Sequence, residues 1–216
     1  MRVLQIVNRA QRRGAEVFAL ELSRELERTG HATRVVALYA GGDLPLRPGD
    51  ASLGGRAEHP LERLPGIHPG LLRRLARAVE AFRPDVVQVN GSRTVKYGSL
   101  LRRLRAGSGW ALVYRSIGTP GDWLRGRLHA GLYRRLVISG VDGIVAVSAA
   151  TRGDLEARYA PRAPVAVIPR GVDVERFVAA EERAVLRTRL GTPESAPVLI
   201  ALGSLSREKR PDRLLR

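Results

Sequence analysis

Residues 2–28, RVLQIVNRAQRRGAEVFALELSRELER, decide the fold. Residues 2–8 carry Val3, Leu4, Ile6 and Val7 in a short apolar run, the pattern of a buried strand. The polar loop Asn8-Arg9-Ala10-Gln11-Arg12-Arg13 follows. From Gly14 to residue 28, Ala15, Phe18, Ala19, Leu22 and Leu26 recur on one helical face, with Glu21, Arg24, Glu25 and Arg28 outside it. A strand, a basic loop and a glycine-opened helix make the first unit of a parallel α/β domain.

The alternation continues outward from that unit. Residues 33–39 read as a strand closed by Gly41-Gly42, and 42–69, rich in Gly and Pro, mostly as loop. A helix over 71–82 stops at Pro84; then come a strand at 86–89, a helix at 95–104 and a strand at 112–116. The loop Gly118-Thr119-Pro120-Gly121 leads to a helix over 122–137, a strand at 144–147, a helix at 151–159 and a strand at 165–168. Short apolar strands alternating with helices predict a Rossmann-like parallel sheet with helices on both faces, spanning 1–169. Residues 170–197 break the rhythm and read as an interdomain linker. A strand at 198–202, a basic loop at 203–209 and a helix start at Pro211 read as a fragment of a second Rossmann-like domain over 198–216.

Composition narrows the chemistry. The chain has no cysteine, which excludes disulfides, thiolate metal sites and a cysteine nucleophile. Its four histidines, His31, His59, His68 and His129, stand at no metal-ligand spacing, so no metal is expected. Neither a signal peptide nor a membrane span of roughly 18 apolar residues is visible, and a cytoplasmic protein is expected, free or at the inner face of a membrane. Net charge is 37 − 21 = +16, and Lys96 and Lys209 are the only lysines. Between residues 93 and 135 nine arginines and Lys96 face one acid, Asp122. Such a field attracts phosphates without naming their carrier. On the 122–137 helix, Leu124, Leu128, Leu132 and Leu136 share one side. That side is expected to cover the sheet, leaving a basic outer face; a helix lying in a membrane interface is the alternative.

In open α/β sheets ligands bind at the carboxyl ends of strands. After the first strand, Gly14 opens a helix whose N-terminal amides favour an anion. After the third and fourth main strands, Asn90, Ser92 and Arg115 are able to hydrogen-bond a hydroxylated ligand. In the last loop, Arg207 and Lys209 precede a helix start, which suits a diphosphate. Neither the dinucleotide fingerprint nor the P-loop spacing is present.

These residues carry a resemblance. Gly14-Ala15-Glu16 before a helix that ends at Gly30-His31, Pro84-Asp85-Val86-Val87, Val147-Ser148 through Leu155, Ile168-Pro169-Arg170-Gly171-Val172-Asp173, and Gly203 through Asp212 occur in the order found in retaining family-4 glycosyltransferases of the GT-B fold. The resemblance implies an N-terminal acceptor domain, the start of a donor domain, and transfer of a sugar from a nucleotide-sugar co-substrate without a metal cofactor. It implies that Gly14, Lys209 and Arg207 lie by the donor diphosphate and that Asn90, Ser92 and Arg115 lie on the acceptor side. The implied partners are the nucleotide sugar and a glycan or lipid-linked acceptor of cell-envelope synthesis, with peripheral contact at an anionic membrane and no nucleic acid. Ser204 and Arg170 stand where the family often has arginine and asparagine. The family's two donor-domain glutamates, with seven residues between them, have no counterpart here, so the catalytic residues stay unassigned and the 216-residue chain alone is expected to be inactive. The rival reading is a non-catalytic basic α/β module that binds anionic lipid or nucleic acid.

Overall fold

The computed structural model describes residues 1–54, 66–105, 107, 109–118, 127–172, 174, 181–200, 203 and 211–213. The chain forms two compact units, Met1–Arg170 and Gly171–Arg216. The first is a seven-stranded, wholly parallel sheet of β1 (Arg2–Arg9), β2 (Ala32–Tyr39), β3 (Ala51–Ser52), β4 (Val86–Asn90), β5 (Ala111–Ser116), β6 (Gly143–Ala146) and β7 (Val165–Val167), in the order β3-β2-β1-β4-β5-β6-β7. Its helices are α1 (Gly14–Arg28), α2 (Pro69–Phe82), α3 (Ser92–Leu104), α4 (Arg127–Leu136) and α5 (Ala149–Tyr159). The order reverses between β1 and β4, which sets the ligand crevice at their carboxyl ends.

The two sheet faces differ in chemistry. Successive strand residues point to opposite sides. Leu4, Ile6, Val87, Val89, Leu112 and Tyr114 join a large apolar core with residues of α2, α3, α4 and α5. In α2, Leu71, Leu75, Val79 and Phe82 form the buried stripe, each worth about 1.5–3 kcal/mol of burial. Pro69 starts that helix, and Arg83, left-handed at φ 49°, ends it before Pro84. The other face is covered by α1 and holds a smaller core of Val7, Ala10, Ala19, Leu20, Val35, Ala37 and Leu44. Here the central strands turn polar. Gln5 and Gln88 are register partners, and so are Asn90 and Arg115.

Local chemistry anchors the elements. Asp85 accepts the backbone N–H of Arg2 at 2.7 Å, tying the start of β4 to β1, and Asp142 does the same for Leu112 of β5. Ser148 caps α5 by accepting the Thr151 N–H at 3.1 Å. Gly98 lets α3 lie close on the sheet: a Cβ there would sit 2.8 Å from Val89 Cγ1.

Three expectations are corrected. First, α1 buries Glu16, Ala19, Leu20 and Ser23, so the stripe is rotated from the one read as Ala15, Phe18, Ala19, Leu22 and Leu26. The polar strand face beneath accepts polar helix residues, and Phe18 is left as a platform at the side. Second, Leu128, Leu132 and Leu136 of α4 do not cover the sheet; they are 90%, 56% and 48% exposed. Tyr133 and Val137 point inward instead, with Tyr133 stacked on Tyr159 at 5.4 Å between ring centroids. Leu124 and Trp123 lie outside the described residues. Third, residues 198–200 form no strand and stand exposed. A strand is held by a neighbour's ladder, and among the described residues the ladder ends with the β6–β7 pairing. Residues 201 and 202 lie outside the described residues.

The second unit contains α6 (Arg183–Arg189), which buries none of its residues, and a 3₁₀ turn at Pro211–Arg213. Arg187 closes the turn after α6 by donating to the carbonyls of Pro193 and Ala196. No helix among the described residues is long and apolar enough to cross a membrane.

Candidate functional site

The site is built where β1 and β4 end. Asn8 leaves β1, Asn90 closes β4, and Gly91 turns the chain into α3 with φ 97° and ψ 172°, a backbone state that glycine alone adopts readily. The Gly91 N–H donates to the Arg115 carbonyl at 3.1 Å, locking the turn to β5. These residues, with Ala15, Glu16, Ser92, Arg93 and Ile117, line a cavity of about 380 Å³. It is open and mixed in polarity, and Arg93 supplies its positive charge. Thr94 stabilises the first turn of α3 by donating to the Gly91 carbonyl at 3.0 Å.

The polar groups divide into satisfied and unsatisfied ones. Asn90 donates to Gln5 Oε1 at 3.0 Å and to the Ile6 carbonyl at 3.3 Å, and Gln88 Nε2 donates to Asn90 Oδ1 at 3.4 Å. Its amide therefore holds the strand ends in position. Asn8 also lines the cavity, and its Oδ1, by contrast, is buried and accepts no hydrogen bond from the protein.

Glu16 lies in the first turn of α1, where the helix dipole favours a carboxylate. Burial nonetheless pushes its carboxyl above the usual range. Its own backbone N–H, that of Arg9, the charge of Arg13 and the Gln11 side chain pull the other way. Glu16 thus ties the β1–α1 loop together and presents one polar edge to the cavity.

Asn90 and Ser92 come together at this cavity. Gly14 is exposed at the start of α1, with its carbonyl 3.5 Å from Arg170 Nη1. Arg115 is not among the cavity-lining residues. Its guanidinium lies beneath α1, 3.6 Å from the centroid of the Phe18 ring, and the residue is 3% exposed. Burial first, and then the neighbouring charge of Arg170, lower its pKa to about 10. Arg115 Nε and Nη1 find no partner, whereas Arg170 is neutralised by Glu21 at 3.3 Å. Arg207 and Lys209 lie outside the described residues. Sequence reasoning missed Asn8 and Glu16 as lining residues. The signal was present: both flank the loop after β1, and Gln5, Gln88 and Asn90 interrupt apolar strands on one face.

Comparison with known proteins places this geometry. The family model for glycosyltransferase family 4 matches residues 12–176. A GDP-mannose-dependent alpha-mannosyltransferase of Mycobacterium tuberculosis is 34% identical over 149 residues, covering 65% of this chain and 38% of that protein. A D-inositol 3-phosphate glycosyltransferase of Geodermatophilus obscurus is 30% identical over 223 residues, covering 94% of this chain and 48% of that protein. Among solved structures, Anabaena HepE in complex with UDP and glucose superposes with a TM-score of 0.65 at 16% identity, over 88% of this chain and 50% of that one. A glycosyltransferase from Rickettsia africae gives 0.63 at 18% identity, over 91% of this chain and 51% of that one. These two share the fold. The chain spans about two-fifths to one half of the length of these relatives. With the family model running from the β1–α1 loop past the last strand of the sheet, the chain belongs to glycosyltransferase family 4.

Proposed function

We propose that this chain supplies the acceptor-binding half of a retaining, metal-independent transferase that moves a sugar from a nucleoside diphosphate sugar to a hydroxylated acceptor, a lipid-linked sugar or envelope glycan, on the cytoplasmic side of a membrane. In the reaction the bond from the anomeric carbon to the diphosphate oxygen breaks, and a bond to the acceptor oxygen forms on the same face. The acceptor proton leaves with the diphosphate. Such chemistry needs cations and backbone N–H groups aimed at the departing diphosphate. The exposed N-terminal turn of α1 at Gly14 suits that need, and the family resemblance implies a diphosphate role for Arg207 and Lys209.

The observation that carries the acceptor assignment is the polar cavity lined by Asn8, Asn90, Ser92 and Arg93 at the carboxyl ends of β1 and β4. That lining suits the hydroxyls of a sugar or polyol, with Ser92 and Arg93 as polar contacts. Arg115 acts from behind, holding Phe18 and α1 and adding positive potential. The relatives support this choice of chemistry, since one is named for GDP-mannose and another for an inositol phosphate.

Calorimetric titration of the chain with GDP and with UDP tests the donor side. Weak binding of a nucleoside diphosphate is expected, and Gly14→Val, which fills the space against Arg170, weakens it at least tenfold. Binding indifferent to Gly14→Val contradicts the assignment of α1 to the diphosphate.

A further inference from the structure

The exposed side of α4 and the cavity next to it belong to neither ligand site. Leu128, Leu132 and Leu136 stand at i, i+4 and i+8, one line along the helix opposite Tyr133 and Val137. At 1.5 Å per residue the line is about 12 Å long. Beside it, a cavity of about 430 Å³ is lined by Arg134, Arg135 and Arg162 together with Ile138 and Pro161. On the helical wheel Arg135 falls between the leucine line and this cavity. No carboxylate is among the residues lining the cavity, and none of the three guanidiniums makes a hydrogen bond or ion pair among the described residues. Because α4 runs back from the end of β5 and Arg162 precedes β7, the cavity opens at the amino ends of the strands, away from Asn8 and Asn90.

We infer that α4 is a membrane-docking element that lays its leucine line into the interface of an anionic bilayer while Arg134, Arg135 and Arg162 take lipid phosphates in the adjoining cavity. A helix with an apolar line, an arginine flank and no acid has the composition of an interfacial helix. Charge complementarity selects anionic lipid as the occupant, since the adjoining cavity is lined by three arginines and no acid. A protein partner would have to bring several acids and a groove at once to cover the same ridge and cavity. The inference gives the transferase reading its place at a membrane, and the two can fail separately: vesicle binding does not depend on Gly14, and nucleoside diphosphate binding does not depend on α4.

Co-sedimentation of the whole chain with vesicles of phosphatidylcholine alone, and with phosphatidylglycerol added, tests it. Binding is expected only to the phosphatidylglycerol vesicles. The set Arg134→Ser, Arg135→Ser and Arg162→Ser lowers it about a hundredfold, each arginine contributing about fivefold. The set Leu128→Ser, Leu132→Ser and Leu136→Ser lowers it at least tenfold. The single change Leu128→Ser, at the most exposed of the three, lowers it severalfold and serves if the triple variant folds poorly by circular dichroism. Equal binding to both vesicle types, no binding to either, or binding that ignores the leucine changes overturns the inference. So does a dimer in sedimentation velocity that the leucine changes convert to monomer, because the ridge would then be a contact between copies of the chain.

Discussion

Arg115 holds a full charge inside the sheet unit, stacked on Phe18, with Nε and Nη1 donating to nothing and a second guanidinium nearby. A buried charge without a partner lowers stability, and natural chains keep such groups where function uses them. Arg115→Met keeps the stem and removes the charge. It is expected to raise the free energy of unfolding by about 1–3 kcal/mol, read from urea denaturation at neutral pH. A loss of stability would mean that the guanidinium is satisfied in solution. This residue was legible in the sequence only in part. Its position at the end of β5 marked it for the site, but its guanidinium packs on Phe18 under α1 and does not line the cavity. Asn8 was missed for the opposite reason: an asparagine leaving a strand looks like ordinary loop chemistry until its Oδ1 is seen buried and unpaired.

At the scale of elements, strong periodicity was read correctly and weak periodicity was not. The helix read over 71–82 and stopped at Pro84 is α2, with Leu71, Leu75, Val79 and Phe82 as its buried stripe. In α4 the leucines at every fourth position looked like a core stripe. One aromatic stack, Tyr133 on Tyr159, with Val137 one turn on, turned the helix the other way. Helix α1 was misread because its buried face carries Glu16 and Ser23, which hydropathy counts as outside. Residues 198–200 show the limit of local reading: apolar β-formers make a strand only beside another strand. Their amides are expected to exchange with deuterium at rates near those of an unfolded chain, while those of β4, in the middle of the sheet, exchange at least about a thousandfold more slowly. Strong protection at Leu199 and Ile200 would show that they dock on a neighbour.

Across the whole first unit, an asymmetry between the two sheet faces connects sequence to function. Four helices and a large apolar core secure one face. The other, covered by α1, carries Gln5, Gln88, Asn90 and Arg115 and opens at the strand ends into the Asn8–Ser92 cavity. The apolar face supplies rigidity, which lets the polar face keep the cavity-lining groups in place for a ligand. The most direct test is amide-resolved NMR of the chain titrated with an inositol phosphate as polyol acceptor. The account predicts shifts concentrated at Asn8, Ala15, Glu16 and the 90–93 turn. Shifts confined to Arg134, Arg135 and Arg162 at the opposite end of the sheet, with none at the strand ends, would contradict it.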